Sequence, residues 1–284
     1  MRNIWVGMTI LVLFLGASGA TAQDTFYFCV LNAQGNSGDW DVAANWEIGP
    51  GASTCDGDDA TSVPGFADTA VIKATRECNI DSAAQADHIV VEDTAVLNVE
   101  KDWSLTLDGT GTFTSTIDGT LNLEDTGSTL IFIVTNQTLN GDGQLIGKHN
   151  AASILISEDL ELTSALTIEG AVHFPGTNDT NKFINQGTVD ATLGNIHFEI
   201  SDIEDVAGAN WNATGSGGVL WIDVLPQGHP PANLMVLEGD FLLTNGGRLL
   251  VEFGVTTSGT LTVEKGKVIN DSNKSLVFSS EPPP

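Results

Sequence analysis

The chain has 284 residues, of which 10 are basic and 37 are acidic, giving a formal net charge of −27. A field of this sign repels phosphate backbones and anionic membranes, so the charge argues against a nucleic-acid partner. It favours association with cations, either at discrete calcium sites or over a solvated acidic surface adapted to salt.

The segment 1–22 has the pattern of a secretory signal peptide. Arg2 supplies a positive n-region, residues 10–15 form an apolar core, and Ala20-Thr21-Ala22 is a small-residue cleavage signature before Gln23. Removal of this segment would leave nine basic and all 37 acidic residues, a net charge of −28. We therefore expect a secreted or cell-surface protein. Since no later segment has the length of an apolar span, no membrane insertion of the mature chain is expected.

Three cysteines, Cys29, Cys55 and Cys78, lie in the first third of the chain. In an oxidising compartment one pair is expected to close, leaving one thiol. Pairing of Cys29 with Cys55 would tie the first strand to an Asp-rich loop, whereas pairing of Cys55 with Cys78 would tie that loop to a strand beginning near Asn79. The sequence leaves both alternatives open. Zinc is disfavoured because the three cysteines are widely separated and lack a Cys-x-x-Cys pair.

Beyond residue 90 the chain becomes a succession of short apolar runs with a two-residue period. Leu105 with Leu107 and Leu121 with Leu123 are examples, and each run is bounded by Gly, Asn, Asp or Thr. This alternation is typical of half-buried strands separated by turns, and helical periodicity is nearly absent. The pattern predicts an all-β protein, with two sandwiches, a propeller or a solenoid as the alternatives.

Repeated Gly-centred turns favour the solenoid. Stretches such as DGTLNLE (118–124), GDGQLIG (141–147) and NQGTVDA (185–191) place a glycine directly before a strand. A degenerate unit reused along a chain is the mark of a repeat architecture, in which each coil buries its apolar face against its neighbours. VHF at 172–174 recurs as IHF at 196–198, a separation of 24 positions. With coils of about 20 to 25 residues, the span 93–275 would hold about seven to nine of them.

Two stretches carry a resemblance to a known group of proteins. WDVAANWEIG…VPGFADTAVI followed by CNIDSAAQADHIVVEDTAVLNVEKDWSLTLDGTGTF, and later LLTNGGRLLVEFGVTTSGTLTVEKGKV, are similar to secreted bacterial parallel β-helix surface proteins of the autotransporter-passenger and adhesin-like type. The resemblance covers about a third of the chain. It implies a single-stranded, right-handed parallel β-helix with an N-terminal capping segment, and it is nearly silent on chemistry.

We accordingly divide the chain into a signal peptide (1–22), an N-terminal cap (23–92), a parallel β-helix (93–275) and a Pro-rich tail or linker (276–284). The end of a β-helix exposes apolar side chains and unpaired strand groups, so it has to be covered. The residues predicted to build this cover are two aromatic side chains and the turn that leads into the first buried strand: Trp40, Trp46, Pro64 and Gly65.

An acidic cluster within the cap is a candidate calcium site with oxygen ligands. Its residues are Asp56, Asp58, Asp59 and Asp68. The twelve-residue calcium loop with a terminal Glu is not present, nor is the Gly-Gly-x-Gly-x-Asp repeat. Calcium is therefore a hypothesis that accompanies the capping role.

His149, His173 and His197 follow one another at equal intervals of 24 positions. If each coil has this length, the three would form a row along one outer edge at roughly 5 Å per step. Such a row could bind a transition metal, or it could be a stacked, solvated row without a ligand.

Three functions from different classes fit these features. The first is a structural or adhesive surface protein that presents an extended face to a polysaccharide or another cell surface, with Trp103, Trp211 and Trp221 as candidates for stacking on sugars. The second is a carbohydrate-active lyase or hydrolase, which would need a basic residue converging with carboxylates in a lateral cleft. The third is a passive domain of a larger assembly, suggested by SSEPPP at the end of the sequence. No catalytic residue is predicted.

Overall fold

A computed structural model describes residues 24–29, 37–108, 113–134, 136–157, 159–176, 181–223, 235–251, 255–257, 261–264, 267–270 and 277–278. The predicted signal peptide and most of the predicted tail lie outside these ranges. Within them the chain is all β, with no α-helix and two short 3-10 helices. Neither of these helices has the length or apolar character needed to cross a membrane.

The strands divide into an N-terminal group and a long series of coils. The N-terminal elements are β1 (Thr25–Phe28), β2 (Ser37–Asp39), a 3-10 helix (Ala43–Asn45), β3 (Trp46–Ile48), a second 3-10 helix (Ala52–Thr54) and β4 (Asp58–Asp59). The first coils contain β5 (Thr69–Ile72), β6 (Glu77–Ile80), β7 (Ala84–Ala86), β8 (His88–Val91), β9 (Val96–Val99), β10 (Ser104–Leu107), β11 (Phe113–Ile117), β12 (Thr120–Leu123), β13 (Thr129–Phe132), β14 (Gln137–Asn140) and β15 (Gln144–Ile156).

The later coils continue the same arrangement. They contain β16 (Glu161–Ser164), β17 (Thr167–Phe174), β18 (Lys182–Asn185), β19 (Thr188–Ala191), β20 (Asn195–Phe198), β21 (Asp202–Asp205), β22 (Asn210–Thr214), β23 (Val219–Ile222), β24 (Met235–Leu237), β25 (Asp240–Thr244), β26 (Arg248–Val251), β27 (Val255–Thr257), β28 (Leu261–Glu264), β29 (Lys267–Asn270) and β30 (Val277–Phe278).

Successive coils contribute strands to three parallel ladders, and β24, β27 and β30 of the last coils form a separate three-stranded parallel sheet, which confirms the predicted parallel β-solenoid. The first ladder runs β1, β5, β8, β11, β14, β16, β18, β21. The second runs β2, β6, β9, β12, the first halves of β15 and β17, then β19, β22, β25, β28. The third runs β7, β10, β13, the second halves of β15 and β17, then β20, β23, β26, β29. From β5 to β29 the described strands make nine coils.

The core is a set of columns in which inward side chains of successive coils lie on one another. Leu97, Leu121 and Leu145 are consecutive register partners on the second ladder, and all three are fully buried. Phe174 and Phe198 stack with ring centroids 4.4 Å apart. Because full burial of such a side chain is worth about 1.5–3 kcal/mol, and each one is buried by the coil above and below, the coils stabilise one another.

The recurrent glycines lie at a corner of the coils, where the backbones approach closely. A Cβ added at Gly143 would lie 2.2 Å from the carbonyl oxygen of Gly119 in the preceding coil. At Gly187 it would lie 2.3 Å from the carbonyl oxygen of Leu166. Glycine is required here because any side chain would overlap the backbone of the neighbouring coil. The Gly-Thr-Leu pattern of the sequence is therefore the signature of this corner.

The regular coils begin earlier than the sequence indicates. Strand β5 pairs in parallel with both β1 and β8, and β6 pairs in parallel with both β2 and β9. Residues 69–92 therefore belong to the solenoid rather than to a separate cap. The coil step is short in this stretch, since Glu77 pairs with Val96, and the apolar alternation is weaker because small and acidic residues are interspersed.

The N-terminal segment packs two tryptophans against the first coil. Trp40 and Trp46 are almost completely buried, with ring centroids 4.8 Å apart in an edge-to-face arrangement. The indole N–H of Trp46 donates to the backbone oxygen of Trp40 at 2.8 Å, and its ring meets Phe28 of β1 at 5.1 Å. Strand β3, which begins at Trp46, runs antiparallel to β1. It covers the outer edge of the first ladder, which would otherwise be open to pairing with another chain.

Candidate functional site

Three aromatic rings form a column on the outside of the third ladder. His173 on β17 is the register partner of His197 on β20, and His197 is the partner of Trp221 on β23. Their neighbours in each strand, such as Val172 and Phe174, are buried in the core. Because side chains alternate across a strand, the two imidazoles and the indole all point outward.

The rings are in direct contact. The centroids of His173 and His197 are 4.8 Å apart with an interplanar angle of 12°, and those of His197 and Trp221 are 3.9 Å apart at 13°. These separations are close to the spacing of adjacent strands, so the parallel register itself stacks the rings. We refer to His173, His197 and Trp221 as the aromatic column.

Two carboxylates flank the aromatic column. Glu199 and Asp223 each follow a column residue by two positions, which places them on the same outward side. The Nε2 atom of His173 lies 3.1 Å from Oε2 of Glu199, and Nε2 of His197 lies 3.9 Å from Oδ2 of Asp223. The site is therefore a row of two imidazoles and one indole, with carboxylates along one side.

The environment of His197 favours its neutral form. Burial lowers its pKa to about 4, and the neighbouring His173 adds to this effect while Glu199 opposes it. Its Nε2 atom is buried and makes no hydrogen bond within the described part of the chain. A buried ring nitrogen without a partner is uncommon, because its desolvation is not compensated. A neutral imidazole carries a lone pair on one of its two ring nitrogens, and this is the form that binds metal ions.

The donor atoms of His173, His197 and Glu199 all lie within 4.8 Å of one another. Among the described residues, this is one of two groups of three or more potential metal-ligating side chains. The chemistry of this donor set, two imidazoles and one carboxylate, suits a divalent transition metal.

His149 does not belong to this row, so the prediction from equal spacing is wrong for it. The residue that pairs with His173 in the preceding coil is Ser153, because the register of β15 shifts between Lys148 and Ser153. The extra residues form an exposed corner that contains His149. The row instead continues in the other direction, where Trp221 follows His197 at the interval that separates His197 from His173.

In the second group of potential metal-ligating side chains, two of the three members are joined by a disulfide bond. Cys29 and Cys55 are bonded, with Cα atoms 5.4 Å apart, and the buried carboxylate of Glu47 lies beside them. Gly57 donates its backbone N–H to Glu47 at 2.6 Å. Bonded sulfurs are not thiolate ligands, so this group is structural. Cys78 is the free cysteine on β6, and burial raises the pKa of its thiol well above the usual range.

The four aspartates of the calcium hypothesis do not converge on one point. Asp56, Asp58 and Asp59 are not buried, and the last two form β4, which pairs with β3. Asp68 folds back to accept the backbone N–H of Gly65 at 2.8 Å, closing the turn that follows the buried Pro64. None of the four is part of either donor group. Calcium binding there stays a prediction.

The three tryptophans proposed for sugar stacking have different environments. Trp211 is fully buried and donates its indole N–H to Asp205 at 2.7 Å, so it is a core residue and the sugar-stacking role is wrong for it. One ring face of Trp221 is covered by His197. Trp103, at the corner before β10, is 41% exposed. It is the most exposed of the three.

A basic residue also converges with carboxylates on the first ladder. Nζ of Lys182 lies 2.7 Å from Glu204 and 3.7 Å from Glu161, in the coils on either side. Burial acts to lower the pKa of Lys182, but the hydrogen bond to Glu204 and the surrounding negative charges outweigh it and raise the pKa. A lysine held in its protonated form is a poor proton acceptor. We therefore interpret this cluster as a row of ion pairs that links neighbouring coils of the solenoid.

No protein-family model, curated protein or solved structure matches this chain.

Proposed function

We propose that the mature protein is a secreted or cell-surface structural and adhesive protein that presents a flank of its solenoid to a polysaccharide or to another surface. The observation that supports this most is the unbroken run of the second and third ladders over nine coils, with Trp103 at the corner between them. Nine coils at about 4.8 Å spacing give a lateral surface roughly 38 Å long. A rigid surface of this length suits many weak, simultaneous contacts.

Trp103 is the proposed anchoring residue for a bound polysaccharide. Its ring is exposed at the corner that leads into β10, next to the turn of the following coil, where Thr129 donates its backbone N–H to the carbonyl oxygen of Trp103 at 3.0 Å. The backbone of Trp103 is thus held by the ladder while the side chain is exposed for stacking. A rigid aromatic face of this kind gives a large contact area at low entropic cost.

The charge of the protein narrows the class of polysaccharide. With a net charge near −28 after removal of the signal peptide, the surface repels polyanions at low ionic strength. We therefore propose neutral polysaccharides as direct ligands, and acidic ones only where a divalent cation bridges the carboxylates of both partners.

A glycan array tests this proposal. Residues 23–284 would be applied in EDTA and again with calcium, and we expect binding to neutral glycans in both conditions. Trp103→Ala should weaken that binding at least about tenfold, or ~1.4 kcal/mol. Leu193→Ala is the matched control, because Leu193 is also a corner residue, is 66% exposed and carries no ring.

The array also discriminates among the alternatives. Absence of binding to any glycan would contradict the proposal and favour a passive domain of a larger assembly. Equal glycan binding by Trp103→Ala and the unaltered protein would contradict the anchoring role of Trp103. Cleavage of a polysaccharide in the same samples would favour the enzyme, which has weaker support because the charge cluster around Lys182 lies on an extended ladder and holds its lysine protonated.

A further inference from the structure

We propose that His173, His197 and Glu199 form a binding site for one divalent transition-metal ion of the zinc, copper or nickel class. His173 lies on β17, His197 lies on the adjacent strand β20, and Glu199 directly follows β20. Their donor atoms lie within 4.8 Å of one another. The site does not depend on the proposed binding of polysaccharide, because Trp103 lies several coils away on another part of the solenoid.

The donor set selects the kind of ion. Imidazole nitrogen is a good ligand for zinc, copper and nickel, whereas calcium and magnesium prefer oxygen ligands only. Two imidazoles and one carboxylate leave at least one coordination position open, as in metal sites that keep an exchangeable ligand. The carboxylate of Asp223, whose Oδ2 is 3.9 Å from Nε2 of His197, is close enough to take part in the site.

The distances require only a small adjustment. Zinc binds imidazole nitrogen at about 2.0–2.1 Å and carboxylate oxygen at about 2.0–2.2 Å, so donors that share one ion lie roughly 3–3.5 Å apart. Nε2 of His173 and Oε2 of Glu199 are already 3.1 Å apart. The donor nitrogen of His197 has to approach them by about 1 Å, which side-chain rotation of a partly exposed imidazole allows.

An alternative account treats the group as a hydrogen-bonded pair with no ligand. The contact between His173 and Glu199 fits that account, but His197 does not. Its Nε2 atom is buried and has no hydrogen-bond partner in the described ranges, and its ring stacks between those of His173 and Trp221. A bound cation would supply the partner that the described residues do not.

The rigid register also explains why this site would be preorganised. His173 and His197 are held by the same ladder, with Phe174 and Phe198 locked in the core directly beside them. Because the core residues fix the strands, the two imidazoles need no backbone rearrangement to approach one ion. Preorganised ligands lose less conformational entropy on binding.

Metal titration of the tag-free, EDTA-stripped mature protein tests the site. By isothermal titration calorimetry with zinc chloride we expect one saturable ion per chain, with no saturable binding of calcium at this group. His173→Gln, His197→Gln and Glu199→Gln should each weaken zinc binding at least about tenfold, a loss that even outer-shell partners of metal ligands can produce. His149→Gln is the matched control, because His149 is exposed outside the row, and its affinity should stay within about twofold of the unaltered protein.

A second readout is independent of affinity. Electron paramagnetic resonance of the copper-loaded protein should show two coupled imidazole nitrogens, and one in either histidine variant. Circular dichroism identifies any variant that has lost the fold. If a histidine variant does not fold, Glu199→Gln still tests the site, because glutamine preserves the shape of the glutamate side chain. The proposal is overturned if zinc binding is not saturable, if it survives in the His173→Gln/His197→Gln double variant, or if His149→Gln abolishes it.

Discussion

The N-terminal segment and the coils bury apolar side chains by different means. In the coils, Leu97, Leu121 and Leu145 lie in a column that every turn of the chain extends by one member. In the N-terminal segment, Trp40 and Trp46 form a single edge-to-face pair. Trp46 begins the antiparallel strand β3, and the disulfide lies nearby. The stability of the coils is therefore distributed over many equivalent layers, whereas that of the N-terminal segment depends on a few contacts without a copy elsewhere.

Removal of Trp46 should be the most damaging single change in the N-terminal segment. Trp46→Ala takes away a fully buried ring that contacts Phe28 and Trp40, so we expect a loss of about 3–5 kcal/mol in the free energy of unfolding. Urea denaturation followed by circular dichroism measures this. Trp103→Ala is the control and should change stability by less than about 0.5 kcal/mol, because an exposed ring loses little contact. Comparable losses in the two variants would mean that Trp46 does not seal the end of the solenoid.

Loss of the disulfide should have the next largest effect. Cys29 and Cys55 are 26 residues apart, and closing a loop of this length stabilises a protein by about 3.5 kcal/mol in the chain-entropy model. Cys29→Ser/Cys55→Ser should lower the unfolding free energy by about this amount. The effect should be concentrated in the N-terminal segment, so hydrogen exchange should accelerate there more than in β12 or β19.

Thiol counting checks the same bond chemically. The denatured but unreduced protein should react with one equivalent of a thiol reagent, and with three after reduction. The native protein should react very slowly, because Cys78 is buried and its pKa is raised. Rapid reaction of the native protein, or a protected Cys78 in the denatured unreduced state, would contradict the assigned pairing.

A change at a coil corner should have a smaller effect than either change in the N-terminal segment. Gly143→Ala places a methyl group 2.2 Å from the carbonyl oxygen of Gly119, so the two coils have to separate locally. We expect a loss of about 2 kcal/mol, within the range found for overpacked sites. Gly217→Ala is matched to it, since the nearest atom to the added Cβ there is 3.8 Å away. Equal stability of the two variants would show that the coils do not approach as closely as the structure indicates.

The sequence predicts the solenoid because its signals repeat. Glycines recur at the corner where backbones of successive coils meet, and most strands alternate buried and less buried residues, so a weak signal in one coil is supported by the others. The echo of VHF in IHF is a correct guide to register, since Val172, His173 and Phe174 pair with residues 196–198.

Extrapolation of that spacing fails because coil length is not constant. Thr120 pairs with Gln144, whereas the step from Asn210 to its partner Asp240 is longer by six positions. An insertion at a corner changes the count without disturbing the strands, and this is what removes His149 from the row of His173. A search for equally spaced histidines also misses Trp221, although its interval from His197 repeats that between the two histidines.

The N-terminal segment is less predictable for the opposite reason. The choice of Cys55 as partner for Cys29 depends on β3 folding back antiparallel onto β1, a contact that no repeated pattern indicates. Such single contacts leave no periodic trace in the chain.

Methyl–methyl nuclear Overhauser effects in protein labelled at Leu, Ile and Val methyl groups test the stacked coils most directly. Register pairs Leu97 with Leu121, Leu121 with Leu145 and Leu145 with Ile168, so strong cross-peaks are expected between these residues, which are far apart in the sequence. Cross-peaks linking each of these side chains instead to residues in the next strand along the chain, as in antiparallel hairpins, with none between the register partners, would contradict the solenoid and the aromatic column that its register creates.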